Sequence, residues 1–304
     1  MRIQRTVSLA FTMALCLCTL AAVVAVMNGT ADADGGTMRY VATTGVDADG
    51  CTEPDAPCRT LQYAVDVAND EDLIKVAVGT YTGVQGHPVS AGYENPPAGG
   101  IITQVVYIDK SVTIQGGYTN DFLDPPDPEV SPVILDAHGV GRGLVISGAI
   151  TVTIEGLHIT GGDASGLGGG VSLDGDAGGG ALVLTATVTI SNCAVDGNVA
   201  STTARGNGAG MYLAHSTATL SGNALTNNIS SNTGSGRAGG LYLDYSTATL
   251  SDNIVQDNIA STATPGGQGG GLFIGHSVVI LNDNKIIGNS ASTISLGSGG
   301  GLEC

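Results

Sequence analysis

The sequence predicts an all-β solenoid in which parallel strands wind into stacked coils, and three observations predict it. One 30-residue pattern is written four times from residue 178 and begins a fifth time: Gly180-Ala181-Leu182-Val183, Gly210-Met211-Tyr212-Leu213, Gly240-Leu241-Tyr242-Leu243, Gly271-Leu272-Phe273-Ile274 and Gly301-Leu302-Glu303-Cys304. The residue after the glycine falls at 181, 211, 241, 272 and 302, so the steps are 30, 30, 31 and 30 residues. Two further columns keep that step, Asn198/Asn228/Asn258/Asn289 and Cys193/Asn223/Asn253/Asn284. Finally, the apolar runs are short, alternate with Thr and are broken by Gly and Asn, which is strand rather than helix patterning. A period of this length marks units that bury little alone and a continuous core once stacked.

Taken in order, residues 1–33 read as an export signal: Arg2 and Arg5, the uncharged stretch Val7–Val26, then Ala31-Asp32-Ala33 as a small-x-small cleavage site. The apolar run of 20 residues is also just long enough for a retained membrane anchor. Cys16 and Cys18 lie in this segment, but Leu15 is too large for a lipoprotein cleavage box. Residues 34–82 form an N-terminal cap and first coil. Thr60 caps one short amphipathic helix, Leu61–Ala68, with Leu61, Ala64, Val65 and Ala68 on one face; a strand follows at 73–78. Cys51 and Cys58 flank a polar loop and form a small disulfide in an oxidising compartment.

Residues 83–177 hold looser coils with insertions. A Gly/Pro-rich insertion spans 83–100, strands are expected at 101–107, 111–117, 133–136, 143–146 and 151–162, and a proline-bearing loop lies at 119–131. The regular repeats occupy 178–304. Each yields three short strands, Leu241–Leu243, Thr247–Leu250 and Ile254–Val255 in one copy, which make a triangular coil stacked at ~4.8 Å on the next. Leu241, Leu243, Ala248, Leu250 and Val255 point inward, Thr247 and Thr249 outward, and Asn253 and Asn258 stack as amide ladders. The one extra residue, between Asn258 and Leu272, falls in a Gly/Ser/Thr loop where it disturbs no register. Cys193 stands where the next three repeats carry Asn and is expected to be a small buried side chain. The chain ends in the opening strand of a coil, which reads as a piece of a longer protein, with an open edge that would aggregate.

With 48 Gly, no Trp and 12% charged residues, the chain is too apolar and too patterned for disorder, and its glycine lacks the collagen triplet. The formal charge is −17, and without residues 1–33 there remain 8 basic and 26 acidic side chains. Such a surface repels nucleic acid and polyanionic sugars.

These residues resemble the right-handed parallel β-helix of the pectin-lyase-like superfamily. Gly-Gly-Leu at 239–241, 270–272 and 300–302, with Leu220-Ser-Gly-Asn223, Leu250-Ser-Asp-Asn253 and Leu281-Asn-Asp-Asn284, are similar to the GGA-[ILV] and FxxN motifs of polymorphic outer membrane protein repeats. Leu replaces Phe here, and bulkier residues replace Ala. The front half, from Tyr40-Val41-Ala42-Thr43-Thr44-Gly45 through Cys51, Cys58, Lys75–Tyr81 and Gly116-Gly117-Tyr118, resembles the opening of exported bacterial β-helix proteins. The resemblance implies this fold and export to the cell surface, outer membrane or medium. It does not imply an activity, since the fold carries lyases, hydrolases, adhesins and stalks alike.

No catalytic constellation is read from the sequence. The regular repeats contain only Arg205, Arg237 and Lys285 as bases. Asp252 and Asp283 share a column and Asp174-Gly175-Asp176 resembles a fragment of a Ca²⁺ loop; the plainer reading of both is turn and loop carboxylates. Apart from that Ca²⁺ candidate no cofactor is implied. His215, Tyr245 and His276 form a column at the first turn, too widely spaced for one metal and better read as a stacked turn. Tyr212, Tyr242 and Phe273 lie between inward residues and are expected to stack on an exposed face, where they support the sheet or bind sugar rings. The loops 200–208, 230–238 and 260–269 emerge on one flank, where a surface polysaccharide or protein partner could dock, or serve as flexible decoration. The expected function is that of an exported structural and binding module, adhesive in kind, with a polysaccharide lyase or hydrolase as the alternative.

Overall fold

The computed structural model describes residues 36–304 apart from Ala91, 171–174 and Ser295. The export signal, Cys16, Cys18 and Asp174 lie outside the described residues. Along the described chain, strands stack in parallel coils; Gln85–Pro88 pairs antiparallel against the strand Ile101–Ile108, and Gly169 makes one antiparallel bridge to Asp176.

The first three regular coils carry five strands and the fourth four, rather than the expected three. In one coil they are Gly236–Arg237, Leu241–Asp244, Thr247–Ser251, Ile254–Gln256 and Ile259–Ser261. The last four define faces 1 to 4, and Gly236–Arg237 belongs to a three-stranded outer ribbon. The two extra strands have little apolar alternation, so their pairing is visible only in three dimensions. Register is kept residue for residue: Leu241 sits between Met211 and Leu272, and Thr247 between Thr217 and Val278.

The corners explain the turn residues. Within one coil His215, Gly222, Asn227 and Ala238 all have positive φ, between 50° and 64°. This left-handed region suits Gly, Asn and Asp best, and the equivalents of Gly222 in neighbouring coils are Asn192, Asp252 and Asp283.

Inside, the expected column Leu241, Leu243, Ala248, Leu250 and Val255 is buried throughout, as part of one aliphatic core that runs from the cap to Leu272. Two buried Asn ladders fasten coil to coil. Asn228 Nδ2 donates to Val195 O at 2.9 Å and to Asn258 Oδ1 at 2.9 Å, while its Oδ1 accepts both the backbone N–H and the Nδ2 of Asn198 at 3.0 Å. All four hydrogen-bonding positions of the amide are used, which is what a fully buried Asn requires. Cys193 begins the other ladder: its N–H donates to Asn223 Oδ1 at 3.0 Å, and burial pushes its thiol up to about 12.

The N-terminal end is sealed by the helix Leu61–Val67 (α1), which buries Leu61, Ala64 and Val65 on the core. Thr60 Oγ1 accepts from Tyr63 N at 3.2 Å as its N-cap, a bond that stabilises a helix start by about 1 kcal/mol. Cys51 and Cys58 are joined, with Cα atoms 5.2 Å apart. Arg39 Nε donates to Asp72 at 2.6 Å, both side chains buried, which ties the strand Met38–Val41 to the turn before Leu73–Ala77.

Candidate functional site

The Tyr212/Tyr242/Phe273 column is not exposed. Tyr212 is 1% and Tyr242 3% accessible, and Phe273 is half-buried. The rings do point away from the main core, as alternation requires. They enter a second core, where Leu182, Ala177 and Ala238 pack against them and Tyr93 joins from the 83–100 insertion. Ring centroids lie 5.0 Å apart for Tyr212 and Tyr242 and 4.8 Å for Tyr242 and Phe273, all edge-on. The Arg237 guanidinium covers Phe273 at 5.5 Å. The expected open aromatic face is therefore corrected: Tyr212 and Tyr242 are packed between the coil and the outer ribbon, and Phe273 at the end of the column is partly covered.

The flanking loops are ordered by a serine column on face 4. Ser231 Oγ accepts from Gly234 N at 2.8 Å and donates to Ala204 O of the coil before at 2.7 Å. Ser261 repeats this with Thr264 N and Gly234 O. Ser201 accepts from Ala204 N and donates to Asp176 Oδ2 at 2.6 Å, while Asp176 Oδ1 accepts from Gly168 N. Both oxygens of buried Asp176 therefore hold a loop rather than standing free as a Ca²⁺ ligand pair. Asp252 and Asp283 are exposed corner residues. Among the described residues no three His, Cys, Asp or Glu side chains gather at metal distance.

Arg142 was not visible as special in the sequence, because it lies before the regular repeats. It is fully buried, donating from Nε to Ala177 O at 2.9 Å and from Nη2 to Gly168 O at 2.7 Å, and it sits 6.0 Å from the Tyr93 ring. It ties Gly168 and Ala177 to face 1.

Several accessible features stand out among the described residues. At the first corner, His215, Tyr245 and His276 stack with centroids 5.2 and 4.4 Å apart and planes within 17° and 2° of parallel, as the stacked-turn reading expects. Below them His276 Nδ1 reaches Asp244 Oδ1 at 3.4 Å. Tyr245 is covered on both faces by the two imidazoles, while His215 and His276 are each stacked on one face only.

Face 2 is the second feature. Thr151, Thr187, Thr217 and Thr247 are in register on four consecutive coils, and so are Thr153, Thr189, Thr219 and Thr249. Ser191, Ser221 and Ser251 add a third column on three of them. All point outward, with Val188, Ala218, Ala248 and their partners buried between. Glu155 heads the Ser column, the Thr153 column continues to Thr113 in the coil before, and Val278, Ile280 and Asn282 close the field at the other end.

Beyond Glu155 lies a cleft of about 490 Å³ lined by Gly116, Pro128, Asp127, Glu129, Glu155 and Asn192 among others. Glu155 accepts from Gln115 Nε2 at 2.9 Å, and Asp127 Oδ1 from the N–H groups of Glu129 and Val130. Sequence reasoning missed this cleft because its wall is the 119–131 loop, which has no repeat partner. On face 3, His158 pairs with Asp196 across one coil step.

The profile of the right-handed β-helix region family matches residues 142–303. The chain belongs to the right-handed β-helix family. The coils described above are thus right-handed, and the match begins at Arg142, where face 1 becomes regular. Comparison with curated proteins and with solved structures gave no match for this β-helix.

Proposed function

We propose that this β-helix is an exported structural and binding module of the cell surface or medium, adhesive in kind. The observation that carries the reading is face 2: identical, uncharged, outward side chains repeat at each coil from Thr151 to Ser251, which is how a rigid surface meets an extended partner. The two Asn ladders and the serine-braced loops support it by making the stack stiff. Export is supported by the leader-like residues 1–33 and by the Cys51–Cys58 disulfide, which suits an oxidising compartment. The likeness of the repeats to those of polymorphic outer membrane proteins, and of the fold to the pectin-lyase-like superfamily, agrees with a surface role. The tips of the stacked loops, 202–205, 232–235 and 262–266, offer a second docking flank.

A second reading is favoured by one observation. Glu129 and Glu155 line a single cleft, and a carboxylate pair in a cleft is the machinery of glycoside hydrolysis. Purified full chain tested on a panel of polysaccharides separates the two. Retention without released sugar supports the module; sugar release that disappears in Glu155→Gln assigns the cleft to hydrolysis and overturns it.

A further inference from the structure

We propose that face 2 of this β-helix binds ice, its Thr-x-Thr rows serving as a rigid template for ordered water. The proposal rests on the reading of the chain as a binding module and names the ligand of that module.

Eight threonines form a two-dimensional grid, two per coil over four coils, with no register shift between the strands that carry them. Parallel strands set the grid spacing at roughly 4.8 Å from coil to coil and, for residues two apart on a strand, at about 6.6 Å along it. The grid thus offers hydroxyls at a fixed repeat in two directions, as an ordered layer of water does. A strand twist would spoil that repeat over several coils, but flat sheets persist where side-chain ladders hold them, and the Asn223 and Asn228 ladders flank this β-helix core on successive corners. Branching at Cβ restricts χ1 of each Thr, so its methyl and hydroxyl are presented repeatedly in the same way.

The hydroxyls are uncommitted. Ser216, Ser231, Ser246 and Ser261, on the corners and face 4, all donate to carbonyls. By contrast, none of the eight Thr hydroxyls on face 2 is bonded to a protein group among the described residues. Each is left to bond water, while the neighbouring methyls order the water between.

The same face argues against other ligands. A polyanion or mineral surface needs charge, and between Glu155 and Asn282 the outward positions of face 2 carry none. A sugar chain favours ring faces, and the outward positions of face 2 carry no aromatic ring. The rows end at Val278 and Ile280, so the template comprises the coils of Thr151 to Thr249.

The test uses the purified full chain in a freezing-point and ice-shaping assay, with circular dichroism to confirm folding. Wild type is expected to depress the freezing point below the melting point and to facet ice crystals. Thr219→Lys, at the centre of the grid, is expected to lose both while melting at the same temperature. Thr226→Lys, on face 3, is expected to keep both. Wild-type activity no greater than that of an inert acidic protein overturns the proposal, as does a folded Thr219→Lys variant as active as wild type. If ice activity is absent but the chain is retained on a polysaccharide through face 2, the ice assignment falls while the binding-module reading stands.

Discussion

The Tyr212 hydroxyl donates to Asp244 Oδ2 at 3.2 Å, one coil further along, with both side chains removed from solvent. This bond links the aromatic column to the corner that carries His276, and it makes Asp244 a member of the second core. Gly275 follows Asp244 in register, and a Cβ there would stand 3.2 Å from the Tyr242 ring. The column is built around these contacts. Asp244→Ala should leave the Tyr212 hydroxyl buried without this acceptor and destabilise the chain by about 1–3 kcal/mol. Tyr242→Ala should cost about 3–5 kcal/mol through the cavity it leaves. Urea denaturation of both variants checks this.

The Asn ladders predict a cost that a surface Asn would not show. Asn228→Ala removes the acceptor for two groups of Asn198 and the donor for Val195 O and Asn258. The loss is expected at about 3 kcal/mol, since each stranded buried group costs roughly 1–3 kcal/mol. Asn232→Ala, on a loop, should change stability by less than about 0.5 kcal/mol. The two denaturation midpoints, measured together, decide the matter.

Cys193 and Cys304 should behave oppositely toward a thiol reagent. Cys193 is fully buried with its thiol pushed up to about 12, whereas Cys304 is exposed. Only a thiolate attacks, so native protein at neutral pH should be alkylated at Cys304 and spared at Cys193, with Cys193 labelled only after denaturation. Mass spectrometry of the labelled peptides reads this directly. Cys193→Asn should be tolerated, because Asn223 in the next coil shows the same position satisfied by an amide.

Much of this was legible because a solenoid writes its contacts at a fixed interval. Leu241, Leu243, Asn253 and Asn258 could be placed from the period alone, since the partner of each is the same column one repeat away. Thr60 announced α1 by its capping chemistry. The Tyr212 column was misplaced for a physical reason: alternation along a strand tells inside from outside, but not whether a further layer covers the outside. That layer is the ribbon of Gly206–Asn207 and Gly236–Arg237, whose two-residue strands are too short to carry a period-2 signal. The small residues Ala177 and Ala238 were the available hint, because only short side chains let a ribbon lie so close to the rings. The Glu155 cleft was hidden because its other wall belongs to a non-repeating loop.

Acid should loosen the cap before the repeats. Burial alone would raise the Asp72 carboxyl, but the N–H groups of Asn69 and Thr37 and the Arg39 guanidinium together hold it below the usual carboxylate range. A depressed folded value contributes stability above the unfolded value near ~3.9, and that stability is lost as pH falls through the folded value. Wild type should therefore lose stability at the cap as pH falls below about 4, while Asp72→Asn, already lacking the charge, should show a flatter profile. Hydrogen exchange of residues in the strands Met38–Val41 and Leu73–Ala77 across that range checks it.

The central claim is that the outward faces of this β-helix bind while the aromatic column only supports them. The most direct measurement is the retention of folded Thr219→Lys and of Tyr242→Ala on whichever surface retains wild type, ice or polysaccharide, scaled to the fraction folded. The account predicts that Thr219→Lys is lost from the surface and that folded Tyr242→Ala binds as wild type does. Retention that survives Thr219→Lys and fails in folded Tyr242→Ala would contradict it.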